Sequence, residues 1–293
     1  MRNIRKLFFR NAAGAEWGLN GEHGVYAAAL AGFGVALTPN FVDLNRGFFV
    51  PVNDESEPQS TVTFTLYFTQ SPYDTFKRLV DWLSASGTIT LVYTPVGKQP
   101  FYRDVTINFL QKGELNAMGW LEVPCSFMCN TPWYLPSPTA LSLETGSEGE
   151  DKRYDYAYSD DLRYGVDSSA ALAGTIYGTG HVPGSLELSY YGSATNPRIR
   201  LTGNVTGKSY GVCSVAAVLT ASDVLKFSTR YEDSYVKRIS ALGVETDLLD
   251  ALDLSSNPFF HIPVDEPCTI SIEADSSLPG RADLQVFYYY RSV

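Results

Sequence analysis

Histidine, cysteine and long apolar runs are scarce in this 293-residue chain, and each shortage argues against a class of function. No stretch stays apolar for the roughly 18 residues that a helical membrane span needs. The basic start, Met1 to Arg10, is followed by an apolar run of only Leu7 to Phe9 before Arg10 and Asn11 interrupt it, which is too short for the core of a secretion signal. The expectation is a protein made and kept in a cytoplasm, at least until it is assembled, with no membrane span. The three histidines, His23, His181 and His261, stand apart from one another and from the four cysteines. Without an HExxH, a paired CxxC or an EF-hand loop, no metal site is expected. Cys125 and Cys129 lie on the same face of one strand but roughly 13 Å apart along it, too far to bridge. Cys213 and Cys268 are isolated, so all four read as packed free thiols.

Catalytic signals are equally scarce. No GxSxG elbow is present, and Gly178-Thr179-Gly180 is too short a glycine signal, with no helix after it, to hold phosphate. The carboxylates are spread over loops and turns, where a solvated surface outweighs a glycosidase pair. No catalytic, cofactor-binding or metal-binding residue is therefore expected, no cofactor, and no enzyme activity. Charged residues make up only 18% of the chain, and the net charge of −10 is unevenly placed. Residues 1–137 hold ten Lys and Arg against eleven Asp and Glu, whereas residues 138–293 hold twelve against twenty-one. Nucleic acid is a poor partner for the second half. Asn204-Val205-Thr206 is a formal glycosylation acceptor that means nothing without a secretion signal.

What the chain does have is aromatics, at 13%, and short runs of Val, Thr, Tyr and Phe that favour sheet. The clear exception is Ser71 to Gly87. Ser71 is placed to cap a helix, Pro72 occupies its first position, Asp74 opposes the dipole, and Gly87 supplies a left-handed stop. Phe76, Leu79, Val80 and Leu83 fall on one stripe, which predicts a helix over about 72–86 laid on a sheet. The strands beside it are Thr61–Phe68, with Val62, Phe64, Leu66 and Phe68 on one face, and Thr88–Tyr93.

Earlier strands are expected at Ile4–Phe9, Glu16–Leu19 and Val25–Leu30, with loops at Gly32-Phe33-Gly34 and Arg46-Gly47 and a polar break at Asn53–Pro58. After the helix come Phe101–Leu110 and then an alternation of Leu121, Val123, Cys125, Phe127 and Cys129, in which Pro124 marks an edge or a bulge. Three prolines in Thr131–Pro138 suggest a stiff connector between domains 1–137 and 138–293. Glu144–Asp161 is acidic with alternating tyrosines, which reads as a disordered tract or, from the alternation, as a partly ordered edge strand or an excursion that a neighbouring subunit could cover. From Ser185 the pattern is strand and turn: 186–190, 198–202, 212–219, 224–229, 235–242, 259–262, 269–273 and 284–290, with a helical turn at 247–252. Tyr190, Tyr191 and Tyr288–Tyr290 could stack on sugars or pack; alternation favours packing for half of them.

These pieces in this order resemble the distal tail proteins of siphophages. In the first half the likeness lies in Gly32-Phe33-Gly34, the Pro72-Tyr73…Phe76…Leu83 helix, Leu91-Val92-Tyr93, Phe101-Tyr102-Arg103-Asp104-Val105, Lys112-Gly113-Glu114 and Thr131-Pro132-Trp133-Tyr134. In the second half it lies in Tyr191-Gly192-Ser193-Ala194-Thr195-Asn196-Pro197-Arg198-Ile199 and Val286-Phe287-Tyr288-Tyr289-Tyr290-Arg291. The resemblance implies a mainly β protein: an N-terminal β-sandwich or sheet covered by one α-helix (α+β), then a C-terminal galectin-like or carbohydrate-module-like β-sandwich (jelly roll). It implies a virion structural role at the tail tip, as a homo-hexameric ring joining the tail tube protein to the tail-associated hub or lysin protein. A receptor-binding protein or a host cell-wall glycan is a further candidate partner. The competing expectation is a stand-alone carbohydrate-binding or adhesin module that recognises cell-surface glycans.

Overall fold

The computed structural model describes residues 5–34, 41–43, 49–51, 59–144, 171–276, 278 and 280–293. The chain divides into two compact units, Met1–Leu135 with Tyr290–Val293, and Pro136–Tyr289. The loop at Arg46-Gly47, the break at Asn53–Pro58 and most of the acidic tract fall outside the described residues.

The first unit contains β1 (Arg5–Asn11), β2 (Glu16–Gly18), β3 (Val25–Ala31), a small hairpin of β4 (Phe41–Asp43) and β5 (Phe49–Pro51), β6 (Thr61–Phe68), α1 (Pro72–Ala85), β7 (Ile89–Pro95), β8 (Phe101–Leu110), β9 (Leu121–Cys129) and the start of β10 (Trp133–Glu144). Antiparallel neighbours run β3–β6–β9–β8–β7–β1–β2. The stretch after β2 then joins the two ends of this sheet. Leu19 donates its N–H to Leu7, its carbonyl accepts from Ala27, and Asn20 bridges Tyr26. The sheet thus curls into a barrel, and its outer strands are largely used within the unit.

Alternation fills the barrel. Val62, Phe64, Leu66 and Phe68 of β6, and Leu121, Val123, Cys125, Phe127 and Cys129 of β9, are all buried, as a period of two requires when one face meets a core. Phe9, Phe64 and Phe127 meet at its centre, with ring centroids 5.0 Å apart for Phe9–Phe127 and 5.3 Å for Phe64–Phe127. Pro124 does not mark an edge, because β9 lies between β6 and β8. Its carbonyl accepts from Gln111 just beyond the end of β8, and since the N–H and C=O of one strand residue point the same way, its missing donor falls where β8 has already ended.

The helix forms where the sequence placed it, and it is the only α-helix among the described residues. Leu79 and Leu83 are buried with Thr75, while Phe76 meets Phe68 edge-on and Trp82 meets Trp17. Ser71 differs from expectation: it takes φ +40° and its side chain caps nothing. Thr75 Oγ1 instead donates to the Gln70 carbonyl, at 2.9 Å. Gly87, at φ +64°, follows the helix as predicted.

The second unit continues β10 and adds β11 (Ala171–Tyr177), β12 (Val182–Gly192), β13 (Ala194–Thr195), β14 (Arg198–Gly203), β15 (Ser209–Ser214), β16 (Val218–Leu219), β17 (Val224–Arg230), β18 (Asp233–Ile239), β19 (Glu245–Asp247), β20 (Pro267–Glu273) and β21 (Gly280–Tyr290). They form two antiparallel sheets, ordered β10–β11–β20–β14–β15 and β21–β12–β17–β18–β19. One core is shared by Leu186, Leu188, Tyr190 and Phe227 from the second sheet and Ile199, Leu201, Ile270 and Ile272 from the first, which makes the unit a β-sandwich.

Three local expectations are corrected. Residues 212–219 are two strands, broken where Ala216 bonds Ala251 instead of a neighbouring strand. Residues 259–262 form a buried connection touching the sheets through the Gly184–Ile262 bridge. The proline-rich segment 131–138 is largely strand β10, which pairs with β8 at Tyr134, with β11 at Ser142–Glu144 and also with β21. The predicted turn at 247–252 appears as a 3₁₀ turn, Leu249–Ala251.

A carboxylate absent from the sequence reading organises one end of the sandwich. Glu266, just before β20, accepts from the backbone N–H groups of Val205 (3.0 Å) and Thr206 (2.7 Å), from Thr206 Oγ1 and from the Tyr210 hydroxyl. The Tyr210 bond and these amides pull its carboxyl down from 4.5 to about 2. A depressed carboxylate stabilises the fold above its unfolded pKa and loses that contribution as pH falls through the folded value. Glu266→Gln is therefore expected to lower the melting temperature at neutral pH, with the gap to the parent closing between about pH 4.5 and 2; thermal melts across that range check it.

Leu79→Ala or Leu83→Ala should each cost about 2–5 kcal/mol in denaturant unfolding, and half-buried Val80→Ala less. Equal, near-zero losses at Leu79 and Leu83 would show that the helix does not cover the barrel.

Candidate functional site

The motifs that carry the likeness in the first half are far apart in sequence, and the barrel brings four of them to one place. Trp133 is fully buried there. Phe33 stacks on it at 5.3 Å, Tyr93 lies 6.2 Å away and 4.9 Å from Phe33, and the Arg103 guanidinium sits over the indole at 5.3 Å. A cation over a desolvated indole is the most favourable cation–π arrangement.

Arg103 is itself 5% exposed, so its donors must be met from within. Nε donates to the Thr131 carbonyl at 2.9 Å, and the terminal nitrogens reach the Gly32 carbonyl and the Ser60 hydroxyl. Gly32 is required at that corner: at φ +85° an added Cβ would lie 2.0 Å from the Thr61 carbonyl oxygen. Asp104, pointing the other way along β8, accepts from Thr90 Oγ1 (2.7 Å) and from the Tyr134 hydroxyl (3.1 Å), while its backbone N–H donates to Thr131 Oγ1. Arg103 and Asp104 thus bind both ends of Thr131–Tyr134 to β8.

The second-half motif is a knot of the same kind. Asn196 takes φ +51°, and its side-chain amide donates to Asp275 at 2.9 Å. Arg198 pairs with the other oxygen of Asp275, and Asp275 N–H donates back to the Thr195 carbonyl at 2.9 Å. Beside the knot runs an open groove of about 460 Å³, walled by Arg198, Asp250, Asp253 and Asp275 and floored by Ser214 to Ala216. No aromatic ring and no histidine lines it, so it offers neither a stacking platform for a sugar nor an acid–base pair with an imidazole.

The other sequence candidates are dispersed. All four cysteines are buried and free; burial pushes the Cys125 and Cys213 thiols up to about 12, the inert end of thiol chemistry. Of the histidines, His23 lies against Trp17 and His261 stacks on Tyr231. No cluster of three or more metal-ligating side chains occurs among the described residues, and no helix there is long and apolar enough to cross a membrane. Tyr190 and Tyr289 are core, whereas Tyr191, Tyr288 and Tyr290 are half-buried. The chemistry available at the motif clusters is holding. Arg103→Lys keeps the charge but loses the planar fork, and should cost roughly 2–4 kcal/mol in chemical unfolding because buried carbonyls lose charged donors. The near-ultraviolet circular dichroism signal of Trp133 should change with it.

Residues 6–130 match the family model described as the distal tail protein, N-terminal domain. No curated protein matches. Among solved structures, a chain of the phage P2 baseplate in its activated conformation with Ca superposes with a TM-score of 0.67 at 14% identity, covering 99% of this chain and 100% of that one. The SPP1 Dit (gp 19.1) protein, described as a paradigm of the hub adsorption apparatus in Gram-positive-infecting phages, gives 0.58 at 11% identity over 96% of this chain and 98% of that one. Residues 6–130 are thus similar to the distal tail protein N-terminal domain, and the chain as a whole shares its fold with these phage baseplate and Dit chains.

Proposed function

We propose that this chain is a structural component of a phage tail tip, a hub ring in the baseplate. Copies of the first unit close a homo-hexameric ring that stacks on the tail tube protein and holds the tail-associated hub or lysin protein. The sandwich of residues 136–289 faces outward, toward the host-adhesion apparatus. The observation that carries this reading is the end-to-end likeness, both units in the same order, to a chain of a solved baseplate. The uneven charge supports it. The first half, near neutral, can self-associate without net repulsion, while the second, twelve basic residues against twenty-one acidic, is kept apart by its own charge.

The competing reading is a carbohydrate-binding module, for which the exposed Tyr177 and Tyr231 of the sandwich would be the stacking rings. Particle mass measured on the purified full chain, with negative-stain images, should give closed six-fold rings. A strictly monomeric protein at every concentration would overturn the ring.

A further inference from the structure

The described residues of the first unit expose seven large apolar side chains, and four of them, Tyr73, Leu115, Met118 and Trp120, come from the β8–β9 connection and the helix turn fastened to it. Met118 is 73% exposed. An apolar tip of this kind is normally floppy; this one is built rigid. Asn116 Oδ1 accepts from the N–H groups of Met118 (2.9 Å) and Trp120 (3.1 Å), and its own N–H donates to the Trp120 carbonyl. Its side-chain amide donates to Glu122 at 2.8 Å, and Leu115 bridges Leu121. On the helix side, the Tyr73 hydroxyl donates to Glu114 at 3.1 Å and Lys112 Nζ sits 4.6 Å from the Tyr73 ring.

We propose that this hairpin tip, Leu115 to Trp120 with Tyr73, is the surface by which one copy of the chain grips the next. The inference rests on the ring reading above and names the contact that makes it. Two arguments select a second copy as the occupant. The four side chains offer on the order of 400 Å² of exposed surface, about the apolar half of a standard interface side. The first half, with ten basic against eleven acidic residues, presents no net charge to repel its own copy. Curling of the sheet into a barrel also leaves less strand edge for subunit pairing, so a side-chain contact has to supply what edge pairing would otherwise give. A rigid tip loses little entropy on docking, which favours a contact repeated around a ring.

The test uses the full-length protein and Met118→Glu, a change at an exposed turn. The variant is expected to keep its melting temperature and to lose the ring, giving monomer mass where the parent gives oligomer. On the parent itself, peroxide oxidation of Met118, followed by peptide mass spectrometry, should slow by about tenfold or more between dilute monomer and assembled protein, because the thioether is covered. If the parent assembles and the variant assembles equally well, with Met118 oxidised at one rate throughout, this surface assignment is overturned and the ring stands. If the parent never assembles, both fall.

Discussion

One buried cation holds the first unit together. Arg103 reaches three separate stretches of chain with a single guanidinium, at Gly32, Ser60 and Thr131, while its face lies on Trp133. Burying a charge costs several kcal/mol unless its donors are met, and here carbonyl and hydroxyl groups of three stretches of chain meet them. That makes the position unforgiving: the cost of desolvation is already incurred, and removing any acceptor exposes it. The corner at Gly32, the approach to β6 at Ser60 and the start of β10 all depend on this one side chain finding its partners.

The same logic governs the sandwich, with the charge reversed. Glu266 gathers the Val205–Thr206 turn and Tyr210, and Asp275 gathers Asn196 and Arg198. Each unit is thus pinned at its ends by ionised groups bonded to backbone and to neutral or singly charged partners, while aromatic and aliphatic side chains fill the middle. Residues that would draw the eye as catalytic, a buried arginine or a depressed carboxylate, are occupied in holding loops, and their perturbation reflects structural bonds.

Periodicity carried most of the fold. The alternation of β6 and β9 and the 3.6-residue stripe of α1 depend on one face meeting a core, and such patterns survive in sequence. Closure of the barrel was not legible, because it rests on backbone bonds from Leu19 and Asn20 that no side-chain pattern records. Pro124 misled only as an edge marker, since whether its missing N–H matters depends on where the neighbouring strand stops, while the register of β8 does shift between Ile107 and Phe109, opposite Phe127 and Ser126. Ser71 failed as a cap because its backbone turned left-handed. The motifs Phe101–Val105 and Thr131–Tyr134 could be recognised as family pieces, but their convergence on Trp133 is a property of the folded barrel.

The last four residues, Tyr290–Val293, return to the first unit. Tyr290 meets Phe101 edge-on at 5.5 Å, and the Val293 N–H donates to the Phe33 carbonyl. The polypeptide therefore crosses between the units twice, outward after Leu135 and homeward after Tyr289. A pull on the second unit is divided between two covalent tethers, so neither peptide junction bears the whole tension.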